Sequence, residues 1–285
     1  MNTVKIGWIG LGKMGVPMSL QLIKAGYPLN VYNRSKDKEE GFKSQGIGTA
    51  ASPALLLNNV DVVFVMVSDD KAINDIFNGD EGLLTAKASG KIIVNMSTVS
   101  PAISKEMADA CKAQGNYYLD APVSGSVKQA EDAMLVIMVG GEVGAFEQAK
   151  PILEKMGKLV MLVGDTGSGN VAKLAINTLL GIVAQGFAET VTLAQQNGIN
   201  AEALTTLISN SALGSPFIKI KGDAIVNNNY NAAFALKHIA KDLRLAKDLG
   251  LATPLGETAY QTYQDAEAAF GEEDIIAVIK QVGKV

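Results

Sequence analysis

A glycine-rich turn directly after the first predicted strand constrains the fold of this chain more than any other feature. An apolar run at residues 4–9 precedes Gly10-Leu11-Gly12-Lys13-Met14-Gly15, and a helix is predicted over residues 13–25. Glycines at this spacing permit a tight turn and allow a pyrophosphate to approach the N-terminus of the helix. The pattern predicts a dinucleotide-binding α/β domain, with the cofactor against Gly10, Leu11, Gly12, Met14 and Gly15.

The first 164 residues continue as an alternation of strands and helices. Short apolar runs predict strands at residues 29–32, 60–67, 91–95, 117–120, 135–139 and 158–163. Helices are predicted at residues 101–114 and 144–156, and Ser52 followed by Pro53 marks the start of another. This βαβ rhythm predicts an α/β fold with a doubly wound, Rossmann-type sheet.

The pattern changes after Gly164. A helical pattern runs from residue 170 to residue 197, and further helices are predicted at residues 201–209, 236–249, 255–270 and 274–282. No strand-like alternation interrupts them. We therefore predict two domains: a Rossmann domain over residues 1–164, and an all-helical substrate and oligomerisation domain over residues 165–285, joined through the long helix.

Composition argues against several classes of function. The 285 residues carry a formal net charge of −4 and no run of lysine and arginine, which argues against a nucleic-acid partner. Cys111 is the only cysteine and His238 the only histidine. An internal disulfide is therefore excluded, and the residues of a metal site or of a Ser-His-Asp triad are scarce, so we expect no metal.

Apolar stretches bear on location and assembly. No signal peptide precedes the first strand, and no apolar run reaches the roughly 20 residues of a membrane span, so we expect a cytoplasmic protein without a membrane partner. The helix over residues 170–197 is apolar nearly all round, and such a helix must be buried. Because the helical domain is small, we expect a second subunit to help cover it, in a homodimer or homotetramer.

The end of the second strand bears on the choice of cofactor. An NAD site usually has an acidic residue there, which bonds the ribose 2′-hydroxyl. This chain instead reads Asn33-Arg34-Ser35. A guanidinium pairs well with a 2′-phosphate, so the sequence predicts NADP(H) in preference to NAD(H), unless Arg34 is an ordinary loop residue. We also assign Val67 and Ser68, at the end of a buried strand, to the cofactor site.

Lys173 and Asn177 are the strongest candidates for chemistry. They lie four residues apart on the long predicted helix, so they project from the same face, among alanine, leucine and isoleucine. A lysine held on an apolar face beside an amide is suited to donating a proton. A surface lysine whose stem covers apolar neighbours would give the same local pattern.

Four ordered motifs resemble those of the β-hydroxyacid dehydrogenases, from the first strand nearly to the C-terminus. Besides the opening glycine turn, Asp120-Ala121-Pro122-Val123-Ser124-Gly125-Ser126 resembles the substrate loop of that family. Residues 167–177 resemble its catalytic helix, and residues 234–243 resemble its C-terminal cofactor and substrate segment.

The resemblance implies a role for each matching residue. Lys173 would be the general acid in reduction and the base in the reverse reaction, and Asn177 would hold its ammonium group or the substrate. Ser124 and the backbone at Gly125 would bind the substrate carboxylate. The remaining roles fall to Thr98 at the nicotinamide, Lys241 over the cofactor, and Phe234 and Asp242 on the substrate side. For the last three, helix packing and surface charge are the alternative.

Within the family, residues 122–132 resemble the glyoxylate and succinic semialdehyde reductases, which share the Asn-Arg-Ser strand end. The resemblance implies NADPH-dependent reduction of short aldehyde acids to hydroxy acids. The alternatives are a 3-hydroxyisobutyrate-type dehydrogenase, which more often has Gly-Gly at residues 125–126, and an imine reductase, which usually lacks a lysine at position 173. A 6-phosphogluconate dehydrogenase would carry a histidine where Ile176 stands. A non-catalytic NADP(H)-binding sensor would need neither Lys173 nor Ser124.

Overall fold

A nine-stranded sheet organises the first part of the chain in this computed structural model, which describes residues 4–283. Its strands are β1 (Ile6–Ile9), β2 (Leu29–Tyr32), β3 (Gly48–Thr49), β4 (Val62–Val65), β5 (Ile92–Asn95), β6 (Tyr117–Asp120), β7 (Val123–Ser124), β8 (Leu135–Gly141) and β9 (Gly157–Gly164). The order is β3-β2-β1-β4-β5-β6-β8-β7, with β9 paired to β8. The stretch from β3 to β6 is parallel, which confirms the doubly wound, Rossmann-type domain. The antiparallel pairing of β8 with β6 and β7 is an addition that the sequence pattern does not reveal.

Both faces of the parallel sheet are buried, which explains the continuous apolar runs. Ile6 and Trp8 of β1 pack in one core cluster with Phe64 of β4, and the rings of Trp8 and Phe64 are stacked 5.6 Å apart. Ile9 and Val65, from the same two strands, belong to the cluster on the opposite face. Successive side chains of a strand point to opposite faces, so a strand covered on both sides is apolar at every position.

Helices connect these strands, and one of them starts at Ser52 and Pro53 as predicted. They are α1 (Gly15–Lys24), α2 (Glu40–Lys43), α3 (Pro53–Asn59), α4 (Asp70–Asn78), α5 (Pro101–Ala113), α6 (Val127–Glu131) and α7 (Val143–Leu153). Ser52 accepts a hydrogen bond from the Leu55 N–H at 3.3 Å, with Pro53 at the first helical position. Ser100 caps α5 in the same way through the Ile103 N–H. Such caps satisfy backbone donors that a helix leaves unpaired at its start.

The chain divides into two compact units, Met1–Lys173 and Leu174–Val285. The helical part consists of α8 (Ser168–Gln196), α9 (Ala201–Ser209), α10 (Pro216–Val226), α11 (Leu236–Asp248), α12 (Pro254–Phe270) and α13 (Ile279–Val282), with a 3-10 turn at Ile275–Val278. Phe187, Ile239 and Tyr263 lie in the core of the second unit. The division falls inside α8, whereas the sequence pattern puts the domain boundary before that helix, between residues 164 and 165.

Helix α8 forms where the sequence predicts a helix over residues 170–197, and it begins two residues earlier. The helix has 29 residues, and an 18-residue window within it has a mean hydropathy of 1.5. By length and composition alone, these values suit a membrane-spanning helix. The expectation that no stretch reaches this length was therefore too strict. This is weak evidence for a membrane, because core helices of water-soluble proteins have the same length and composition, and 44% of the window is buried within the protein.

Candidate active site

The candidate cofactor site lies where the strand order reverses. β2 lies on one side of β1 and β4 on the other, so the chain leaves the carboxyl end of β1 at a topological switch point, where α/β sheets bind ligands. A cleft of about 620 Å³ opens there. The predicted cofactor residues that line it are Gly10, Leu11, Gly12, Asn33, Arg34, Ser35, Val67 and Ser68.

The glycine turn forms one wall of this cleft. Gly10 has a φ of +99°, and a Cβ there would lie 2.1 Å from the Met66 carbonyl oxygen, so only glycine fits. At Gly15 a Cβ would lie 2.0 Å from the Gly10 carbonyl oxygen, whereas at Gly12 it would meet nothing within 4 Å. The turn is therefore tight where it packs on the protein and open at Gly12, which fits the close approach of a pyrophosphate to the start of α1.

Asn33 fixes the loop opposite the glycine turn. Its side-chain Oδ1 accepts a hydrogen bond from the Leu11 N–H at 2.9 Å, and its Nδ2 donates to the Ser35 carbonyl. Its backbone N–H donates to the carboxylate of Glu39, which is only 2% exposed. The side chain of Asn33 thus holds the two cofactor-binding segments together, while Arg34 is exposed at the rim of the cleft.

Buried side chains tie down the loops that follow β4 and β5. The Val67 N–H donates to Ser97 Oγ at 2.9 Å, and the Ser97 N–H donates to Asn95 Oδ1 at 3.0 Å. Thr98 follows directly and is half-buried. Thr98 is not among the cleft-lining residues in the described part of the chain, and neither are Met14, Gly15 and Lys241.

The predicted substrate loop turns sharply after β7. Ser124 is half-buried and pairs with Val136 of β8, and Gly125 adopts a φ of +142°. A Cβ at Gly125 would lie 2.7 Å from Leu135 Cδ2, so the position requires glycine. Immediately afterwards the Ser126 N–H donates to Gln129 Oε1 at 2.8 Å, which fixes the start of α6. The backbone at Ser124 and Gly125 is thus rigidly placed.

Lys173 lies in the second turn of α8 and is only 8% exposed. The start of this helix is anchored by Asp120, whose Oδ1 accepts from the Gly167 N–H at 2.7 Å and whose Oδ2 accepts from the Asn170 N–H at 2.8 Å. Burial raises the pKa of the Asp120 carboxyl, and the two backbone donors oppose that rise. The surface-lysine interpretation of Lys173 is therefore not supported by its burial.

Asn177, one turn further along α8, belongs to a buried polar group of the second unit. Its Nδ2 donates to Asp242 Oδ2 at 2.5 Å, and Asp242 Oδ1 lies 3.2 Å from Lys241 Nζ. Asn177 is 1% exposed and Asp242 is 3% exposed. The structure thus brings together three residues that the sequence placed at the substrate and cofactor. Asp242 contacts Asn177 and Lys241, so its direct contact with substrate stays a prediction.

Phe234 precedes α11 and is held by a second buried carboxylate. Asp274 Oδ2 accepts from the N–H groups of Ala233 and Phe234 at 3.1 and 3.4 Å, and Asp274 Oδ1 accepts from Lys221 Nζ at 2.7 Å. The Phe234 side chain is half-buried, and its ring centroid lies 6.0 Å from that of His238. Its role at the substrate stays a prediction.

Sequence reasoning missed the residues that hold the site in place. Glu39 lies in a run of alternating charges, Lys36 to Glu40, which is usually a solvated surface. Asn170 carries no signal beyond its place in the helix motif. Glu39 accepts hydrogen bonds from the nearby Asn33 N–H and Lys36 Nζ. The side chain of Asn170 instead reaches Val99 and Ser104, 71 and 66 positions away, and spacing along the chain does not reveal such contacts. The lysine Lys38, which lines the cleft close to Arg34, was also missed.

Comparison with known protein families agrees with this geometry. Residues 5–164 match the family model described as the NAD binding domain of 6-phosphogluconate dehydrogenase. Residues 167–282 match the model described as NAD-binding of NADP-dependent 3-hydroxyisobutyrate dehydrogenase. The chain belongs to the 3-hydroxyisobutyrate dehydrogenase family. This confirms the resemblance to β-hydroxyacid dehydrogenases, so the protein is an NAD(P)-dependent oxidoreductase acting on CH–OH groups.

Similar proteins within the family differ in substrate and cofactor. The chain is 37% identical to glyoxylate/succinic semialdehyde reductase 2 of Arabidopsis thaliana, over 98% of this chain and 80% of the relative. It is 33% identical to an NAD-dependent L-serine dehydrogenase of Pseudomonas aeruginosa, over 97% of both. A structure of Mycobacterium tuberculosis 3-hydroxyisobutyrate dehydrogenase with L-serine superimposes with a TM-score of 0.89 at 28% identity, over 99% of both chains.

Proposed function

We propose that this β-hydroxyacid dehydrogenase reduces short aldehyde acids, such as glyoxylate and succinic semialdehyde, to hydroxy acids with NADPH. The observation that carries the proposal is the buried ammonium-bearing side chain of Lys173, on a helix whose start is anchored at the end of the strand leading into the Ser124 loop. A non-catalytic cofactor sensor would have no use for a buried lysine placed in this way. The 37% identity to a glyoxylate/succinic semialdehyde reductase supports the substrate class.

In this proposal Lys173 moves the proton of the reaction. The nicotinamide cofactor, when bound, supplies or accepts the hydride. As the carbonyl carbon of the substrate gains a hydride, negative charge develops on its oxygen, and Lys173 Nζ donates a proton to that oxygen. In the reverse direction the neutral amine takes the proton from the hydroxyl group. Asn177, one helical turn away, is held at its Nδ2 by Asp242, which fixes the orientation of its amide.

The Ser124 loop would bind the carboxylate of the substrate. The Ser124 hydroxyl is a donor, and the backbone around Gly125, which is held at a φ of +142°, would add main-chain N–H donors. A carboxylate that accepts several such hydrogen bonds is oriented as well as bound. Reduction of an aldehyde acid therefore requires the carboxylate at the loop and the aldehyde oxygen at Lys173.

The preference for NADPH rests on the rim of the cleft. Arg34 follows β2 where NAD-binding domains usually carry an acid, and Lys38 lines the same part of the cleft. The buried carboxylate of Glu39 is occupied by the Asn33 N–H and by Lys36 Nζ, at 2.8 and 2.9 Å. It is therefore engaged with protein donors and does not replace the missing ribose-binding acid. A 2′-phosphate would meet cations at this rim.

We expect the purified protein to oxidise NADPH with glyoxylate or succinic semialdehyde, and more efficiently than NADH. The substrates compared in this assay also include methylglyoxal, methylmalonate semialdehyde and a cyclic imine. Oxidation of L-serine with NAD⁺ is measured in the reverse direction. Preference for methylmalonate semialdehyde would favour the 3-hydroxyisobutyrate-type alternative. Turnover of L-serine would favour a serine dehydrogenase, and turnover of the imine would favour an imine reductase. NADPH binding without any turnover would contradict the enzymatic proposal. Equal or better efficiency with NADH would contradict the cofactor proposal.

We further propose that the protein is a homodimer or homotetramer in which α8 is covered by a second subunit. Large apolar side chains on this helix are exposed in the single chain, namely Val171, Ile176, Leu179, Val183 and Leu193. Large apolar side chains that remain exposed along one helix favour an interface. Sedimentation at micromolar concentration is expected to give a dimer or tetramer mass, which Leu179→Glu lowers and Leu55→Glu, at an exposed leucine of α3, leaves unchanged. A monomeric wild-type protein would contradict this proposal.

A further inference from the structure

Asn170 is a fully buried amide that connects three segments of the first unit. Its Oδ1 accepts a hydrogen bond from the Val99 N–H at 3.0 Å, and its Nδ2 donates to Ser104 Oγ of α5 at 3.3 Å. Its own N–H donates to Asp120 Oδ2 at 2.8 Å. The side chain has 0% exposure, so each of these bonds is made away from solvent.

The partner of Asn170, Asp120, is packed so closely that its neighbours must be glycine. A Cβ at Gly140 would lie 2.5 Å from Asp120 Oδ1, and a Cβ at Gly169 would lie 2.9 Å from Oδ2. Asp120 is the last residue of β6 and is itself fully buried. The carboxylate is thus pressed against the first turn of α8, which explains why this helix starts where it does.

The segments joined by this network are those that carry the predicted chemistry. Val99 adjoins Thr98, which the family resemblance assigns to the nicotinamide. Asp120 begins the segment that leads to Ser124. Asn170 lies three residues, almost one turn, before Lys173 on α8. Because the bonds are buried and directional, a change at Asn170 displaces these segments relative to one another.

We propose that Asn170, together with Asp120, is a positioning residue for the reduction. It holds the start of α8, and therefore Lys173, in register with the loop that contains Thr98. Neither side chain needs to touch the substrate for this role. The inference rests on the proposed function, because it concerns the distance between the proton donor and the nicotinamide contact. A displacement of about 1 Å in such an arrangement lowers the rate by about 100-fold.

The first unit also contains a matched control residue, Asn116, at the end of the sheet opposite the cleft. Asn116 is also a buried amide, whose Oδ1 accepts from the Lys91 N–H at 2.9 Å and whose Nδ2 donates to the Ala88 carbonyl at 3.0 Å. It lies before β6, at the amino ends of the parallel strands, opposite the cleft. Removing it leaves one backbone N–H and one acceptor without their partners, as removing Asn170 does, and it does not touch the proposed network.

The test compares Asn170→Ala with Asn116→Ala. We expect both to lower the melting temperature, but only Asn170→Ala to lower kcat, by about 10- to 100-fold, with the NADPH dissociation constant within about threefold of wild type. Asn116→Ala should keep kcat within about twofold. Ser104→Ala removes the 3.3 Å bond from Asn170 Nδ2 and the hydrogen bond between Ser104 and the Tyr118 hydroxyl, but keeps the bond from the Val99 N–H to Asn170. It should therefore lower kcat less than Asn170→Ala, and it serves if the latter fails to fold. Equal kcat values in the Asn170→Ala and Asn116→Ala proteins would overturn the inference.

Hydrogen exchange separates this inference from the proposed function. In Asn170→Ala, the amides of residues 97–100 and 167–173 should exchange at least about tenfold faster than in wild type, because the Val99 N–H has lost its acceptor. In Asn116→Ala these segments should be unchanged. If wild type reduces none of the aldehydes, the proposed function fails while the exchange result still reports on the network. Unchanged exchange at residues 97–100 in Asn170→Ala would overturn the inference even in an active enzyme.

Discussion

Lys173→Ala is expected to lower kcat for aldehyde reduction by about 1,000-fold, with little change in NADPH binding. General acid catalysis by a positioned side chain contributes about 100- to 10,000-fold, and alanine removes the only proton that the proposal supplies to the carbonyl oxygen. The candidate cofactor cleft is lined by residues between Ile9 and Gly82 and does not include Lys173. Binding of NADPH, measured by nucleotide fluorescence, should therefore stay within about threefold of wild type.

Lys173→Arg distinguishes a proton donor from a fixed positive charge. Arginine keeps the charge but stays protonated at all working pH values, so it is a poor acid and no base. We expect it to be almost as inactive as alanine in both directions. Lys112→Ala removes an exposed lysine near the end of α5 and should keep wild-type kcat, which controls for the change in net charge. Turnover by Lys173→Ala at the wild-type rate would show that the role assigned to Lys173 is wrong.

Much of the backbone pattern could be predicted from the sequence, because its physical causes are local. Leu29–Tyr32 and Tyr117–Asp120 form strands at the predicted residues, since both are short apolar-rich runs bounded by turn residues. Ala201–Ser209 forms the predicted helix, with Asn200 as its cap. In contrast, α4 and α10 were not predicted. Both nevertheless begin at a capping residue, Asp69 or Ser215, so their starts carry a local sequence signal.

The residues that line the candidate cofactor cleft could be predicted from the sequence, but the buried hydrogen bonds that hold the candidate site in place could not. The glycine turn, the Asn33-Arg34-Ser35 segment and Val67 converge on one cleft because parallel strands end at a common edge, and this follows from the βαβ pattern. The contact of Asn177 with Asp242 joins residues 65 positions apart. Only the folded chain reveals such a pair. The same holds for Asn170, whose partners lie up to 71 positions away.

Arg34→Ala is expected to remove the preference for NADPH. A charge-assisted hydrogen bond contributes about 1.5–3 kcal/mol, and about 1.4 kcal/mol corresponds to a tenfold change in affinity. If the guanidinium binds the 2′-phosphate, kcat/KM with NADPH should fall by about 10- to 100-fold, while kcat/KM with NADH changes by less than about threefold. Steady-state kinetics with both cofactors at one fixed ionic strength measures this ratio.

Lys38→Ala shows whether Arg34 or Lys38 contacts the phosphate. Lys38 lines the same part of the cleft, so its loss lowers the local positive potential by the same formal charge. A bidentate guanidinium contact predicts a much larger loss in Arg34→Ala, because an arginine fork is geometrically matched to phosphate oxygens. Equal and small losses in both variants would indicate only a diffuse electrostatic attraction. Equal losses with NADPH and NADH in Arg34→Ala would show that this residue does not read the 2′-phosphate, and the cofactor assignment would then have to rest on another residue of the cleft.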